Sequence, residues 1–112
     1  MAQLTEGVEF VRSLPEYDPK DLKWKDMNKE NLVISLNRSK EVLEGIEEKE
    51  FALENLQNLL MEAAGTDRGA LLWPLRLALT GQQKSPSPFE CAWMLGREES
   101  IRRLVLAIKK VR

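Results

Sequence analysis

Apolar residues recur along this chain at intervals of three and four, the repeat of one face of an α-helix. Leu4, Val8 and Val11 mark a short first segment, which Pro15 and Pro19 bring to a close because two prolines so near each other do not fit inside one helix. Asp18-Pro19 opens a brief helical turn that carries Leu22 toward Trp24. Asn28 predicts an N-cap, and Leu32, Leu36, Val42, Leu43 and Ile46 line one face of the longer helix behind it. The charged run Glu47–Glu50 separates that stripe from Phe51, Leu53, Leu56, Leu59, Leu60 and Ala63, and Gly65-Thr66 ends the second helix.

Beyond Asp67 the segments shorten. Leu71, Leu72, Leu75 and Leu79 share a face, with Pro74 either in the first turn or kinking the run, and Gly81 stops it. Ser87-Pro88-Phe89-Glu90 is a strong helix start: a serine cap, proline at the first position and glutamate at the third. Gly96 ends that helix, and Arg97–Val111 forms a last amphipathic one, with Ile101, Leu104, Val105 and Ile108 inside and Arg102, Arg103, Lys109, Lys110 and Arg112 outside. No alternating strand pattern of useful length exists, so the predicted fold is all-α, a compact monomeric bundle of about five to six helices. Leu75, Leu79, Phe89, Leu95, Ile101, Leu104 and Ile108 are expected to be buried together.

Charge changes the picture in one respect. The formal net charge is only -1, but residues 1–66 hold 14 acidic and 8 basic side chains while residues 67–112 hold 4 and 9. The second half is thus basic, a balance that suits a polyanion or else a merely solvated surface. With 112 residues, 43% hydrophobic and 31% charged, the chain reads as one globular domain with no run long enough to span a membrane and no signal peptide. The single cysteine, Cys91, is expected to be a buried thiol in a reducing, cytoplasmic setting.

Catalytic chemistry is not assembled here. There is no histidine, no phosphate-binding glycine loop and no set of zinc ligands. Ser35, Ser39 and Lys40 fall on a helix and are expected to face solvent, and adjacent carboxylates such as Glu98 and Glu99 diverge, favouring the positive helix start. Trp73 and Trp93, set among apolar neighbours, are expected in the core; Trp24, between Lys23 and Lys25, is the more exposed tryptophan.

The stretch from Arg68 to Glu90, R-G-A-L-L-W-P-L-R-L-A-L-T-G-Q-Q-K-S-P-S-P-F-E, closely resembles the C-terminal anticodon-binding region of bacterial-type glutamyl-tRNA synthetases. That family's pattern is roughly L-x-x-P-L-R-x-A-L-T-G, a short spacer, then S/T-P-x-x-F-E. Pro15–Pro19 with Leu22 is similar to the family's connection between helical subdomains, and Leu95–Glu99 with Ile101–Leu104 is similar to its closing helix. The resemblance implies one anticodon-binding domain over residues 1–112: a connecting helix and linker at 1–27, a helical hairpin at 28–66 and basic anticodon-contacting helices at 67–112.

The resemblance also carries roles. It puts Arg76 near the anticodon bases, with Thr80 on the same outward helix face, and Ser85, Pro86 and Pro88 in a base-reading loop; this chain has Ser87-Pro88 where the family has Gly-Leu. Arg68 and Lys84 flank that site as phosphate contacts. The implied partners are the anticodon loop of glutamate tRNA and the catalytic domain of the same enzyme. ATP and magnesium belong to that catalytic domain, whose H-I-G-H-like and K-M-S-K-S-like motifs are not in this sequence, so no catalytic residue, cofactor or metal is expected in this chain. The alternative from another class is a helical protein-interaction module using the apolar stripes or the acidic first half.

Overall fold

The Asn28 side chain accepts a hydrogen bond from the Asn31 amide at 2.7 Å, and the helix it caps, α1, runs Lys29–Glu44. The computed structural model describes residues 14–25, 27–82 and 86–112; the short helix expected around Leu4–Val11 lies outside them. After α1 come α2 (Leu53–Ala64), α3 (Arg68–Thr80), α4 (Pro88–Leu95) and α5 (Arg97–Val111), with 3-10 turns at Pro19–Leu22 and Glu48–Glu50. Among the described residues there is no strand, and the architecture is all-α.

α1 packs most extensively on α5, while α3 touches all four other helices. A single core follows from this arrangement: Leu32, Leu36 and Leu43 of α1, Leu56 and Leu60 of α2, Leu75 and Leu79 of α3, and Leu104 and Ile108 of α5 are buried together. Phe89, Leu95 and Ile101 are half-buried and packed against it. The α2 stripe is narrower than its spacing suggests, since Leu53 and Leu59 remain exposed. A two-residue seam at i and i+4 suffices where a short helix meets its neighbours along one line.

Pro74 lies inside α3, with its ring buried. Proline has no amide hydrogen, so the carbonyl of Ala70, four residues earlier, loses its helical donor; an interior proline costs about 3 kcal/mol or more in isolation. Here the Ser35 hydroxyl of α1 donates to the Ala70 oxygen at 2.6 Å. A tertiary bond thus replaces the missing helical one and fixes α1 against α3. Ser35 and Ser39 are buried rather than solvent-facing.

Two arginines of α5 serve other helix ends. The last four carbonyls of a helix have no partner within it. Arg97 donates from Nε to the Ile46 oxygen at 2.8 Å and from Nη2 to the Glu44 oxygen at 2.9 Å, closing the end of α1. Arg103 donates from Nη1 to the Leu79 oxygen at 2.7 Å, at the end of α3. Arg103 was expected outside and is only 3% exposed. Its neighbours one turn either way are Ser100 and Ala107, both buried, and such small side chains leave room for a guanidinium beside them.

Glu99 receives Arg103 Nε at 2.8 Å and Arg102 Nη1 at 3.3 Å. Partial burial by itself would raise the Glu99 pKa, but the two arginine hydrogen bonds and charges outweigh it and hold the carboxyl below its ordinary 4.5. A depressed folded-state pKa contributes stability above the unfolded value that is lost as pH falls through the folded one. Glu99→Gln is therefore expected to be less stable than the parent at pH 7, with the difference shrinking in acid as the folded-state carboxylate is protonated. Urea midpoints of both proteins at neutral and acid pH check this; a gap that persists in acid removes the ion-pair explanation.

The tryptophans depart from their sequence contexts. Trp93 is 53% exposed on α4. Trp24 is half-buried, tilted at 46° to Trp73 with ring centroids 5.7 Å apart. It lies so close over Gly69 that any Cβ there would fall 2.4 Å from its ring. Trp73 Nε1 donates to the Asp21 oxygen at 3.0 Å, which ties the first 3-10 turn to α3. An aromatic flanked by lysines is half-buried here because Gly69 lacks the side chain that would exclude it.

Candidate nucleic-acid interface

The end of α3 and the start of α4 form a corner whose two arms are anchored separately. Gly81 takes φ +68, the left-handed conformation that terminates a helix, and its amide donates to the Leu77 oxygen at 2.7 Å. Thr80 Oγ lies 2.8 Å from the Arg76 oxygen as donor and accepts the Gln82 amide at 3.0 Å. The chain leaving α3 is therefore folded back on the last turn rather than released.

On the other arm, Ser87 and Glu90 form the reciprocal cap that their spacing predicts. Ser87 Oγ accepts the Glu90 amide at 3.2 Å, and Glu90 Oε1 accepts the Ser87 amide at 3.3 Å. The buried Cys91 thiol donates to the Pro86 oxygen at 3.3 Å. Pro86 and Pro88 fix φ at two positions at the start of this arm.

A third segment closes against the corner. Leu14–Tyr17 crosses Gly81 so closely that an added Cβ there would sit 2.8 Å from the Pro15 Cβ and 3.3 Å from the Glu16 oxygen. The Lys110 ammonium of α5 stands 4.1 Å above the Tyr17 ring, a cation–π contact, and burial pushes the Tyr17 phenol up to about 12. Tyr17 is thus neutral throughout the physiological range and serves as a packed wall.

The residues singled out in the sequence are distributed unevenly over this geometry. Arg76, one turn before the helix end, is half-buried, as are Pro86 and Ser87. Lys84 and Ser85 lie outside the described residues. Thr80 was expected to project outward beside Arg76 but is 3% exposed, its hydroxyl engaged by the backbone on both sides of Gly81. The Pro88 ring is also buried, at the first position of α4. These two residues shape the corner and present no side chain to a ligand.

Arg68 does not flank the corner. It is exposed at the first residue of α3, about 18 Å along the helix axis from Thr80 at 1.5 Å rise per residue. A cleft of about 530 Å³ opens at that distant end, its walls including Trp24, Ile34, Arg38, Asp67 and Ala70. Sequence reasoning missed Arg103 and Gln82. The one signal for Arg103 was the Glu99–Arg103 spacing of four within a face that also carries Ser100 and Ala107. Gln82 had none, because its part is played by a backbone amide.

Among the described residues, the corner brings together the Gly81 bend, the half-buried Arg76 one turn before it and the capped start of α4. A family model described as anticodon binding domain matches residues 1–108. The chain is 39% identical over 115 residues to a glutamate–tRNA ligase of Clostridium acetobutylicum, covering 98% of this chain and 24% of that protein. It is 36% identical to the glutamate–tRNA ligase of Clostridium novyi, over 98% of the chain and 23% of that protein. With the enzyme of Clostridium kluyveri the identity is 32%, over 100% of the chain and 24% of the relative. The chain thus spans about a quarter of the length of the curated relatives it matches.

Proposed function

We propose, from the premise that this chain belongs to the anticodon binding domain family, that it is the anticodon-recognising part of a bacterial-type glutamate–tRNA ligase and that the α3–α4 corner receives the anticodon loop of glutamate tRNA. In this reading the domain acts as a monomer in the cytoplasm, and the ATP- and magnesium-dependent joining of glutamate to tRNA belongs to the catalytic domain of the same enzyme. The observation that carries the reading is the corner itself. Its arms are pinned through Thr80 to Gln82 and through Cys91 to Pro86, and Arg76 stands one helical turn from the bend.

The physical division of labour follows. A positioned guanidinium donates two parallel hydrogen bonds to a base edge, which discriminates among bases. The Pro86–Ser87 backbone supplies fixed groups beside it, and Ser85 adds a hydroxyl. Lys84 in the loop and Arg68 at the far end of α3 hold phosphates, which position the RNA without reading it. Thr80 and Pro88 act through the shape of the corner.

Binding of anticodon stem-loops, cognate and anticodon-substituted, tests this assignment. Arg76→Ala is expected to lose about 1–3 kcal/mol on the cognate RNA and much less on the substituted ones, so that preference collapses. Lys84→Ala is expected to weaken every RNA alike and to flatten the salt dependence by about 0.7 in log–log slope. If Arg76→Ala leaves both affinity and preference unchanged, Arg76 is not the base reader. If the parent protein shows no anticodon preference, the corner is not the site.

A further inference from the structure

The anticodon reading assigns Arg76 and the loop a role, but it leaves open what holds α3 in register against them. We propose that Arg103 is a positioning residue for the end of α3, clamping its last turn from α5 so that Arg76 and the Gly81 bend keep one orientation for RNA. The inference rests on the reading of the corner as an anticodon surface and deepens it.

Three observations carry the proposal. Arg103 is 3% exposed, so its guanidinium cannot touch RNA in this conformation; any effect on recognition passes through what it holds. Its Nη1 donates to the Leu79 oxygen at 2.7 Å, and Leu79 lies two residues before the Gly81 bend and three after Arg76. Its Nε donates to Glu99 Oε2 at 2.8 Å, so the fork is set from behind by a residue one turn back on α5. The same guanidinium therefore joins the frame of α5 to the last turn of α3, and the planar fork makes both bonds in one rotamer. The other bonds at the bend, Gly81 to Leu77 and Thr80 to Gln82, run within the α3–loop segment itself. They shape the turn, while Arg103 adds the hydrogen bond that ties the last turn of α3 to α5.

The decisive comparison uses Arg103→Lys. Lysine keeps the charge and the buried stem, but one ammonium on a flexible chain lacks the fork that spans Glu99 and Leu79. The variant is expected to bind the cognate stem-loop about tenfold more weakly, the scale of one hydrogen bond to a charged group. The ratio of cognate to anticodon-substituted affinity should fall with it, while affinity for single-stranded polyuridine stays at the parent's level. A residue that only stabilises the fold would lower the melting temperature and leave that ratio intact. Circular dichroism at the assay temperature establishes that the compared proteins are folded.

Glu99→Gln, which leaves the Leu79 bond in place but removes the charge behind Nε, supplies the second variant should Arg103→Lys not fold. It should shift the affinity ratio in the same direction by a smaller factor. A folded Arg103→Lys with the parent's ratio overturns the proposal, as does an unchanged ratio in Glu99→Gln when Arg103→Lys does not fold. If the parent prefers the cognate RNA and Arg76→Ala abolishes that preference while the Arg103 and Glu99 variants retain it, the anticodon reading stands and only the clamp is refuted. A parent without preference refutes both.

Discussion

Leu36→Ala is expected to cost about 2–5 kcal/mol of unfolding free energy. Leu36 is fully buried on α1, the helix with the broadest contact to α5, and it belongs to the same core as Leu104 and Leu75. Truncation removes apolar surface and leaves a cavity that rigid neighbouring helices fill only in part. A domain of this size has only about 5–15 kcal/mol to lose, so the variant should approach marginal stability. Urea titration should show a lower midpoint with an unchanged slope, since the surface exposed on unfolding hardly alters. A loss below about 1 kcal/mol would mean that α1 and α5 close over the gap and that the core is more plastic than its burial implies.

Gly81→Ala has the second large effect, and it links stability to the interface. Two separate penalties meet at this position. The backbone φ of +68 disfavours any residue with a Cβ by roughly 1–2 kcal/mol. The new methyl would also meet the Pro15 Cβ at 2.8 Å, well inside van der Waals contact, so the Leu14–Tyr17 segment must lift away. Gly65 isolates the backbone term in a harsher form, because its φ of +64 comes with ψ -134, a region nearly closed to other residues, while nothing lies within 4 Å of its would-be Cβ. Gly65→Ala should therefore show backbone strain alone, and Gly81→Ala a milder strain together with the displaced segment. Only the Gly81 variant is expected to lose anticodon preference as well, because only there does the displaced segment adjoin the end of α3. A folded Gly81→Ala with RNA preference intact would show that the Leu14–Tyr17 segment does not support the corner.

Both effects illustrate how far the amino-acid sequence reaches. Leu36 was legible as a core position, since spacing by three and four reports which face of a helix is turned inward whatever it meets there. Gly81 was legible as a helix stop. That Pro15 would lie across it was not, because residues 15 and 81 are brought together only by the packing of the bundle. The same boundary runs through the candidate site. Arg76 and the proline-bounded loop were singled out by their string alone, whereas Thr80, placed on the outer face by helical spacing, and Pro88, placed in the loop by the resemblance, are buried.

What the sequence by itself determined was local: the all-α class, the caps at Asn28 and Ser87, the stops at Gly65, Gly81 and Gly96, and the family resemblance carried by one short string. Each depends on residues within a turn or two of one another, where backbone preference and side-chain reach decide. What only the tertiary structure decided were the partners of groups that no local rule can satisfy. The Ala70 carbonyl, orphaned by Pro74, finds Ser35 across 35 residues. The Leu79 carbonyl finds Arg103 across 24, and the end of α1 finds Arg97 across more than 50. Withdrawing a polar group from water costs free energy that such bonds offset. A linear sequence shows which groups will need a partner but not which distant side chain the fold brings within reach.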